Sequence, residues 1–600
     1  MTPLATQLRL LSSHISKRRK RQLLLLLGLL LISSVVEIFS IGAVLPFLMA
    51  ITAPEKLIQH PLLAPVLDRI SIGTANELQV WLTAVFIFAV LLAGAVRILL
   101  AWVNLRLAYA IGADLSYDIY WRTLCQPYSV HVGRNSSQIV SVIVSKISTV
   151  IAGVVSPTLV LASSVFLLVN IFCVLFAFQP YVTVAASLIF GGAYLVIVRT
   201  TKALKLRNGK IVSESSTQVV KSIQEGIGGI RDILLDGSQK IHCDVYRKSD
   251  IPLRQAQGNL QFIAQSPRFL IEAVGMAFIA VVAFYLARQD EGFSTAIPVL
   301  GALAIGAQRM LPVMQQAYVS WSSITSARPV LDEVLDLLSQ PILENSPETS
   351  VANVAFNDTI HLREVGFRYS EERPQILNKV NLEIKKGSRI GIIGPTGSGK
   401  STFIDVLMGL LRPTHGDITV DGVKIDDENL LGWQRHIAHV PQSIFLTDSS
   451  IADNIAFGVP QNNIDLERVR LAAGLAQIAG DIERWPAGYD TRVGERGIRL
   501  SGGQRQRVGI ARALYKRSDV ILFDEATSAL DTATEKAVMD AIDKMSSDLT
   551  IIIIAHRLST LSGCDSIVEF AKDGVVRLRS YSAILETTAL PKAGGTCRAE

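Results

Sequence analysis

The stretch Arg389-Ile-Gly-Ile-Ile393, followed at once by Gly394-Pro-Thr-Gly-Ser-Gly-Lys-Ser401, decides how the second half of this 600-residue chain folds. A short, mostly apolar run of this kind is typical of a buried strand. The glycines after it let backbone N–H groups converge on phosphate, and the following helix adds its positive N-terminal end. We therefore expect a strand, a phosphate-binding loop and a helix, in that order.

The residues of this loop are candidate ligands of a nucleotide, with Lys400 on the β- and γ-phosphates and Ser401 on Mg²⁺. The complete candidate set is Gly394, Pro395, Thr396, Gly397, Ser398, Gly399, Lys400, Ser401 and Thr402. A second apolar run, Val520-Ile-Leu-Phe-Asp-Glu525, ends in two carboxylates. Following a phosphate-binding loop, this run predicts that Asp524 holds Mg²⁺ and that Glu525 polarises the attacking water as general base.

A third motif carries a resemblance to a family. Alone, the glycine-rich pentapeptide Leu500-Ser-Gly-Gly-Gln504 at a helix start is compatible with a capped turn, but here it lies between the two apolar runs described above. In that order it resembles the signature sequence of ABC ATPases, and the resemblance covers about residues 359–580. The pentapeptide consists of Leu500, Ser501, Gly502, Gly503 and Gln504.

The resemblance implies roles for four further residues. Gln442 matches the Q-loop glutamine, which senses the γ-phosphate side and can reach the metal, and His556 matches the switch histidine. Tyr369 is similar to the aromatic residue that stacks on adenine, and Asp531 closes the D-loop sequence Ser528-Ala-Leu-Asp531. The resemblance implies ATP and Mg²⁺ as cofactors and an ATPase coupled to transmembrane transport.

The first half of the chain is different in composition. Hydrophobic residues make up 49% of the whole chain and charged residues only 18%, and the long apolar runs lie before about residue 325. Each run approaches the ~20 residues that a helix needs to cross a bilayer. Six spans are predicted, at 23–51, 80–103, 150–178, 181–198, 269–287 and 295–319.

The expected fold is thus an α-helical six-span transmembrane bundle followed by an α/β P-loop ATPase domain. The predicted divisions are a transmembrane domain at 1–339, a linker at 340–358, the nucleotide-binding domain at 359–580 and a C-terminal tail at 581–600. The basic run Lys17–Arg21 before the first span places that end in the cytoplasm. The long loops at 104–149 and 199–268 then also face the cytoplasm, and we expect both to continue their spans as helices.

The first external connection, at 52–79, has an apolar residue at every fourth position, which indicates a short amphipathic segment. Two prolines weaken that prediction, and an ordinary packed loop is an equal alternative. The recurring residues are Ile58, Leu62, Val66 and Ile70, and the prolines are Pro61 and Pro65. The net charge of +6 does not imply nucleic-acid binding.

Charged residues interrupt the predicted spans. A charge that faces lipid at the bilayer centre costs at least ~2.5 kcal/mol, so these residues should face a cavity or each other. At about 1.5 Å per residue, Arg97 lies about 24 Å and Arg309 about 21 Å below the outer surface, and Arg268 lies near the inner face. Three arginines at similar depth suit phosphate, which guanidinium binds bidentately. The alternative is that they pair with Glu37 and Glu272 or extend their side chains to the membrane interface.

The membrane half also resembles flippases of lipid-linked oligosaccharides of the kind that serve bacterial protein N-glycosylation. The residues that carry this resemblance are Glu37-Ile-Phe-Ser, Leu45-Pro-Phe47, Arg97, Pro267-Arg-Phe-Leu-Ile-Glu272, Arg309 and Pro312. It implies a polyprenyl-pyrophosphate-linked saccharide, or a related anionic glycolipid, moved outward from the inner leaflet of a bacterial inner membrane, with Arg97, Arg268, Arg309 and Glu37 as substrate candidates. A multidrug, peptide or plain lipid exporter remains an alternative, and so does a membrane-tethered regulatory ATPase.

The same family logic predicts assembly. In ABC proteins the signature of one domain closes on the ATP held by the P-loop of another, and this chain has one of each. We therefore expect a dimer. Because the ATPase motifs are intact, a homodimer is favoured, although a heterodimer stays possible.

Overall fold

The computed structural model describes residues 3–43, 46–47, 50–51, 74–178, 180–287, 293–341, 354–526, 530–543, 548–555, 557–571 and 574–584. Most of the predicted external segment, including its four recurring apolar residues, lies outside these ranges, as do most of the linker and the tail. The chain divides into two compact units. One comprises Met1–Gln126 and Gly133–Ile342, and the other comprises Pro127–Val132 and Leu343–Glu600.

The regular secondary structure of the first unit is helical in the described residues, as its apolar runs predict. Its helices are α1 (Leu4–Ser13), α2 (Lys17–Gly42), α3 (Ala75–Leu124), α5 (Ser136–Ser141), α6 (Ile147–Val150), α7 (Ser156–Phe178), α8 (Pro180–Gly228), α9 (Ile230–Asp236), α10 (Gln239–Gln265), α11 (Pro267–Ala287) and α12 (Phe293–Leu338), and α4 (Tyr128–Gly133) falls almost wholly in the second unit. Two π-helical segments, Val142–Lys146 and Ile151–Val155, join α5, α6 and α7 into one continuous rod.

The predicted continuation of the second and fourth spans as helices is confirmed. The second span continues in α3 to Leu124, and the fourth continues in α8 to Gly228. Within the described residues, five helices are long and apolar enough to cross a membrane. The sixth predicted span falls in α12, whose side chains are not described before Met310.

The second unit contains two sheets. The strands are β1 (Thr359–Phe367), β2 (Leu377–Lys385), β3 (Arg389–Ile393), β4 (His415–Val420), β5 (Val423–Lys424), β6 (Ile437–Val440), β7 (Val520–Asp524), β8 (Thr550–Ile554), β9 (Ser566–Phe570) and β10 (Val576–Arg579). The smaller sheet is antiparallel in the order β2-β1-β4-β5, and the larger has the order β10-β9-β3-β8-β7-β6. In the larger sheet β9, β3, β8, β7 and β6 run parallel.

Alternate residues of the central strands point into two different hydrophobic cores. Ile521 and Phe523 of β7 pack in one core, whereas Val520 and Leu522 pack in the other. A strand buried on both faces reads as a continuous apolar run, which explains the sequence Val520-Ile-Leu-Phe. We call the core that contains Ile521 and Phe523 the signature core and the other the P-loop core.

Helices surround these strands. They are α13 (Lys400–Leu407), α14 (Leu430–Arg435), α15 (Ile451–Ile455), α16 (Leu466–Leu475), α17 (Ala479–Ile482), α18 (Gly502–Lys516) and α19 (Thr532–Asp543), with short 3-10 turns at Gln461–Asn463, Gly488–Asp490, Glu495–Gly497 and Leu558–Leu561. The predicted order of strand, glycine loop and helix is confirmed, since β3 ends at Ile393 and α13 begins at Lys400.

Candidate nucleotide site and membrane charges

The sheet topology brings the phosphate-binding loop, Gln442 and the carboxylates Asp524 and Glu525 to one edge of the larger sheet. In the parallel register, Ile554 of β8 lies beside both Ile392 of β3 and Asp524 of β7, and Val440 of β6 lies beside Phe523. The phosphate-binding loop follows β3 directly, Gln442 comes two residues after β6, and Glu525 follows β7, which ends at Asp524. Ligands of open α/β sheets bind outside the carboxyl ends of the strands, which is where these loops meet.

The phosphate-binding loop needs glycine at its first position and at its last. Gly394 has φ +151°, and an added Cβ would lie 2.5 Å from the backbone oxygen of Phe570. Gly399 caps α13 with φ +96°, and its added Cβ would lie 2.9 Å from Ile376. Side chains at these positions would therefore displace the loop from its neighbours.

Two polar side chains of the loop are buried. The Lys400 ammonium donates to the backbone oxygens of Gly394 at 2.8 Å and Pro395 at 3.0 Å. The Ser398 hydroxyl is buried and has no hydrogen-bond partner among the described residues. A buried cation facing carbonyl groups and an unsatisfied hydroxyl both fit a phosphate-bearing ligand, because phosphate oxygens accept from such donors.

Gln442 and Glu525 contact one another directly. The Gln442 side-chain amide donates to a carboxylate oxygen of Glu525 at 2.6 Å. Glu525 has φ +52°, in the left-handed region that is costly for a non-glycine residue. Its backbone N–H donates to the carbonyl of Ile554 at 3.1 Å, which ties this conformation to the neighbouring strand. Backbone strain of this kind clusters at functional sites, which agrees with the general-base role expected of Glu525.

The surroundings of two carboxylates beside the loop disfavour their negatively charged forms. Burial, with the neighbouring Glu525 as a second cause, raises the pKa of Asp524, while nearby Lys400 lowers it. Burial and the charge of Asp524 raise the pKa of Asp405, on α13, to about 6. A bound cation would stabilise the ionised forms of both carboxylates. Ser401, Gln442 and Asp524 offer the hydroxyl, amide and carboxylate oxygens that Mg²⁺ prefers, so these residues fit the metal.

The signature is both a helix cap and a separate surface. The Ser501 hydroxyl accepts from the Gln504 N–H at 3.2 Å, and the Gln504 side chain accepts from the Ser501 N–H at 2.9 Å, so a capping box opens α18. Leu500 is buried in the signature core, while Ile392 and Phe403, which flank the phosphate-binding loop, are buried in the P-loop core. The P-loop and the signature are thus built on opposite faces of the large sheet.

The remaining nucleotide candidates are only partly placed. Tyr369 is 44% exposed and meets Phe367 edge to face at 5.0 Å, which leaves ring surface for stacking. Asp531 accepts from the backbone N–H of Thr534 at 2.9 Å and from its hydroxyl at 2.7 Å, so it caps α19. His556 and Ser528 lie outside the described residues.

Two of the three arginines predicted to line a cavity are paired with carboxylates. Arg97 donates through Nε to Glu37 at 2.9 Å and through Nη2 to the other oxygen of the same carboxylate. Glu37 is only 2% exposed, whereas the Arg97 side chain is 48% exposed. Arg268 donates through Nε to Glu272 at 2.7 Å, and both side chains are well exposed. The side chain of Arg309 lies outside the described residues.

Some polar residues were not predicted from the sequence. In the membrane unit, buried Lys146 pairs with Glu333, which also accepts from the Ser213 hydroxyl. The ammonium of buried Lys205 lies 4.6 Å from the ring centre of Tyr318. Their sequence neighbourhoods contain no motif, and only the helix packing brings these partners together.

Asp405 and Tyr128 were also missed near the nucleotide site. Burial is the main cause that raises the pKa of the Tyr128 hydroxyl, and nearby Asp405 and Tyr369 contribute. Asp405 follows Lys400 by five residues, which places it on the helix that the phosphate-binding loop opens, and that spacing was the available signal.

The sequence matches two protein families. The ABC transporter transmembrane region matches residues 23–293, and the ABC transporter family matches residues 377–528. A bacterial Atm1-family ABC exporter solved with ATP bound has the same fold, with a TM-score of 0.78 at 23% identity over 96% of this chain and 99% of that one.

Curated relatives extend this match. The ATP-dependent lipid A-core flippase of Hahella chejuensis is 30% identical over 418 residues, which is 69% of this chain and 70% of that protein. The heterocyst differentiation ATP-binding protein HepA of a Nostoc species is 29% identical over 562 residues, which is 91% of this chain and 89% of that protein. The chain therefore belongs to the ABC transporter family and is an integral membrane exporter that couples an ATPase to transport.

Proposed function

We propose that this exporter is a flippase for a lipid-linked anionic saccharide, such as a polyprenyl-pyrophosphate saccharide, which it moves from the inner leaflet outward. It works as a homodimer in a bacterial inner membrane, with Mg²⁺ and ATP on the cytoplasmic side. The observation that carries the substrate proposal is Arg97, a half-exposed guanidinium within an apolar span.

The pairing of Arg97 with Glu37 is compatible with this role. Nε and Nη2 engage the carboxylate. Guanidinium has five N–H donors, so donors remain for a second acceptor. Glu37 would hold the planar group in one orientation, which lowers the entropy lost when phosphate binds. Arg268 and Arg309 would provide the other cationic groups of the cavity.

A hydrated sugar headgroup cannot cross the hydrocarbon core unaided, because its polar groups would lose their hydrogen bonds to water. A cavity with cationic walls gives the headgroup a path, while the lipid tail stays in the bilayer. Closure of the ATPase dimer would turn that cavity outward. In this scheme Asp524 and Ser401 would hold Mg²⁺, which would stabilise the charge on the phosphates, and Glu525 would accept the proton of the attacking water.

The substrate test is flipping of a polyprenyl-pyrophosphate saccharide in proteoliposomes, with ATPase turnover measured in the same preparation. Each of Arg97→Ala, Arg268→Ala and Arg309→Ala should reduce flipping while basal ATPase turnover stays near that of the wild type. The loss of one charge-assisted hydrogen bond corresponds to ~1.5–3 kcal/mol, or roughly 10- to 150-fold. Replacement by lysine should restore flipping only in part.

Arg97→Ala with Glu37→Gln is the matched control, because it removes the guanidinium without leaving a charged carboxylate behind. Flipping should stay low in this double variant. If all the alanine variants flip at the wild-type rate, the arginines are structural and the glycolipid proposal fails. A phosphorylated glycolipid of the lipid A kind is the second candidate, favoured by the similarity to the lipid A-core flippase of Hahella chejuensis, and it should be assayed in parallel.

The dimer proposal is supported by the placement of the P-loop and the signature on different cores. Lys400→Ala damages only the first, and Ser501→Arg damages only the second. Each variant alone should be inactive. Co-assembled, they should regain ATP binding at one intact composite site. A monomer with full ATPase turnover would contradict the proposal.

A further inference from the structure

The start of the first span carries an unusually dense group of cations. Residues 17–21 are all lysine or arginine, and α2 has no acidic residue in its first turn. Five adjacent cations repel one another unless anions lie nearby. One member of the group is neutralised within the chain, and the way in which it is neutralised orients the others.

Arg19 docks α2 against α3. Its Nε donates to Asp114 at 3.0 Å, and its Nη2 donates to the other oxygen of that carboxylate at 3.2 Å. The bidentate geometry holds one face of the helix start against the protein. Leu26, about two turns further on, is buried in the same helical core as Leu107 and Ile111 of α3.

The other four cations lie on the opposite face. At about 100° per residue, Lys17, Arg18, Lys20 and Arg21 span an arc of roughly 160°, and Arg19 lies opposite its midpoint. All four are exposed, and none has an ion pair among the residues that the structure describes. We name this group the cationic face.

The position of the cationic face indicates which kind of ligand it binds. The apolar part of the span begins at Leu23, so the four cations lie within about 9 Å of it along the axis. Long basic side chains at that depth extend toward the headgroup layer. The preceding helix α1 is fastened beside them, since the buried Gln7 side chain bonds Asp332 and accepts from Arg328 at 3.1 Å. Because α1 and the start of α2 are both held by other helices, we expect the cationic face to stay at the membrane surface.

We propose that the cationic face is a binding surface for anionic phospholipid headgroups of the cytoplasmic leaflet, separate from the transport cavity. Each basic residue near an anionic membrane strengthens binding by roughly fivefold at moderate ionic strength. The attraction falls over a Debye length of about 10 Å and so weakens as salt is added.

The experiment uses the full-length protein in nanodiscs that contain phosphatidylcholine and phosphatidylglycerol. Native mass spectrometry measures the ratio of the two lipids retained on the protein. Wild-type protein should retain phosphatidylglycerol preferentially, and added salt should reduce that preference. Replacement of Lys17, Arg18, Lys20 and Arg21 by glutamine should lower the ratio of phosphatidylglycerol to phosphatidylcholine by at least about tenfold. This holds even if only two of the four cations each contribute their full roughly fivefold gain in binding.

A matched control replaces four exposed cations of the ATPase unit by glutamine, which removes the same charge from a surface remote in sequence. These residues are Arg373, Lys385, Arg435 and Arg577. The control should retain the wild-type ratio. A pair variant, Lys17→Gln with Arg21→Gln, should give an intermediate ratio and serves if the fourfold variant fails to insert.

Two outcomes would overturn the proposal. One is an unchanged lipid ratio in both cationic-face variants, and the other is an equal loss in the ATPase-unit control. Inorganic phosphate added to the nanodiscs should displace little lipid beyond its ionic-strength effect. Full displacement by inorganic phosphate would indicate a site for small soluble anions instead.

Discussion

Buried charge is compensated differently at two places in the molecule, at Asp405 and Asp524 of the ATPase unit and at Glu37 and Lys146 of the membrane unit. Asp405 and Asp524 are partly buried, and no ion pair is found for either carboxylate within the described ranges, so burial raises the pKa of each. In the membrane unit, Glu37 and Lys146 are almost fully buried, and each has an oppositely charged partner. The first arrangement leaves negative charge uncompensated at the nucleotide site, whereas in the second each charge is compensated by its partner.

This contrast separates groups that serve a ligand from groups that hold the fold. A buried carboxylate without a cation is costly, and a bound metal would relieve that cost. A buried ion pair is already satisfied, and the removal of one partner is what destabilises the protein. Arg97 is the instructive case, because it pairs with Glu37 and is still half exposed.

The largest expected effect tests the ligand-serving side of the contrast. Glu525→Gln should keep ATP binding but reduce turnover by roughly 10²- to 10⁴-fold, because the attacking water loses its base. The amide can still occupy the position beside Gln442, so the fold should be preserved. The measurement is steady-state ATPase turnover together with nucleotide binding at equilibrium. Turnover near the wild-type value would remove Glu525 from the mechanism.

An intermediate effect tests the fold-holding side. Arg97→Ala removes the guanidinium from a carboxylate that is only 2% exposed, and should lower the free energy of unfolding by about 3 kcal/mol. Arg268→Ala, whose pair with Glu272 is exposed, should cause no measurable change. Unfolding in detergent measures both. The contrast breaks if the two variants are equally stable.

A double-mutant cycle sharpens this result. Glu37→Gln combined with Arg97→Ala should recover part of the lost stability, because no charged carboxylate then remains buried. A double variant that is no more stable than Arg97→Ala alone would mean that the ion pair is not the source of the loss.

The smallest expected effect concerns a buried histidine. Burial lowers the pKa of His439, on β6, from its ordinary 6.5 to about 4. The unfolded chain therefore binds the proton first as the pH falls, and stability is lost between about pH 6.5 and pH 4. At pH 5 this loss amounts to about 2 kcal/mol.

His439→Gln should flatten that part of the pH dependence, as measured by thermal unfolding of the full-length protein between pH 7 and pH 5. The neutral amide has no proton to gain, so its stability should change less over this range. If the variant and the wild type lose the same stability between pH 7 and pH 5, a group other than His439 causes the loss of stability at acidic pH.

Much of the nucleotide site was predictable because its determinants are local. The spacing of Gly394, Gly399 and Lys400 specifies a loop whatever the rest of the chain does, and an apolar run that ends in Asp524 specifies a strand end. These predictions were confirmed in β3, α13 and β7. The helical extensions of the second and fourth spans were predictable for a similar reason, since no strong breaker interrupts them.

The sequence by itself therefore determined the two-part architecture, the ATPase chemistry and the positions of the membrane charges. It left open whether Arg97 meets Glu37, because the two lie 60 residues apart and only the packing of α2 against α3 joins them. Nor could it indicate that Glu525 has a left-handed backbone or that Asp405 lies near Asp524. Those features depend on how strands and helices from distant parts of the chain pack, and local residue patterns do not encode that packing.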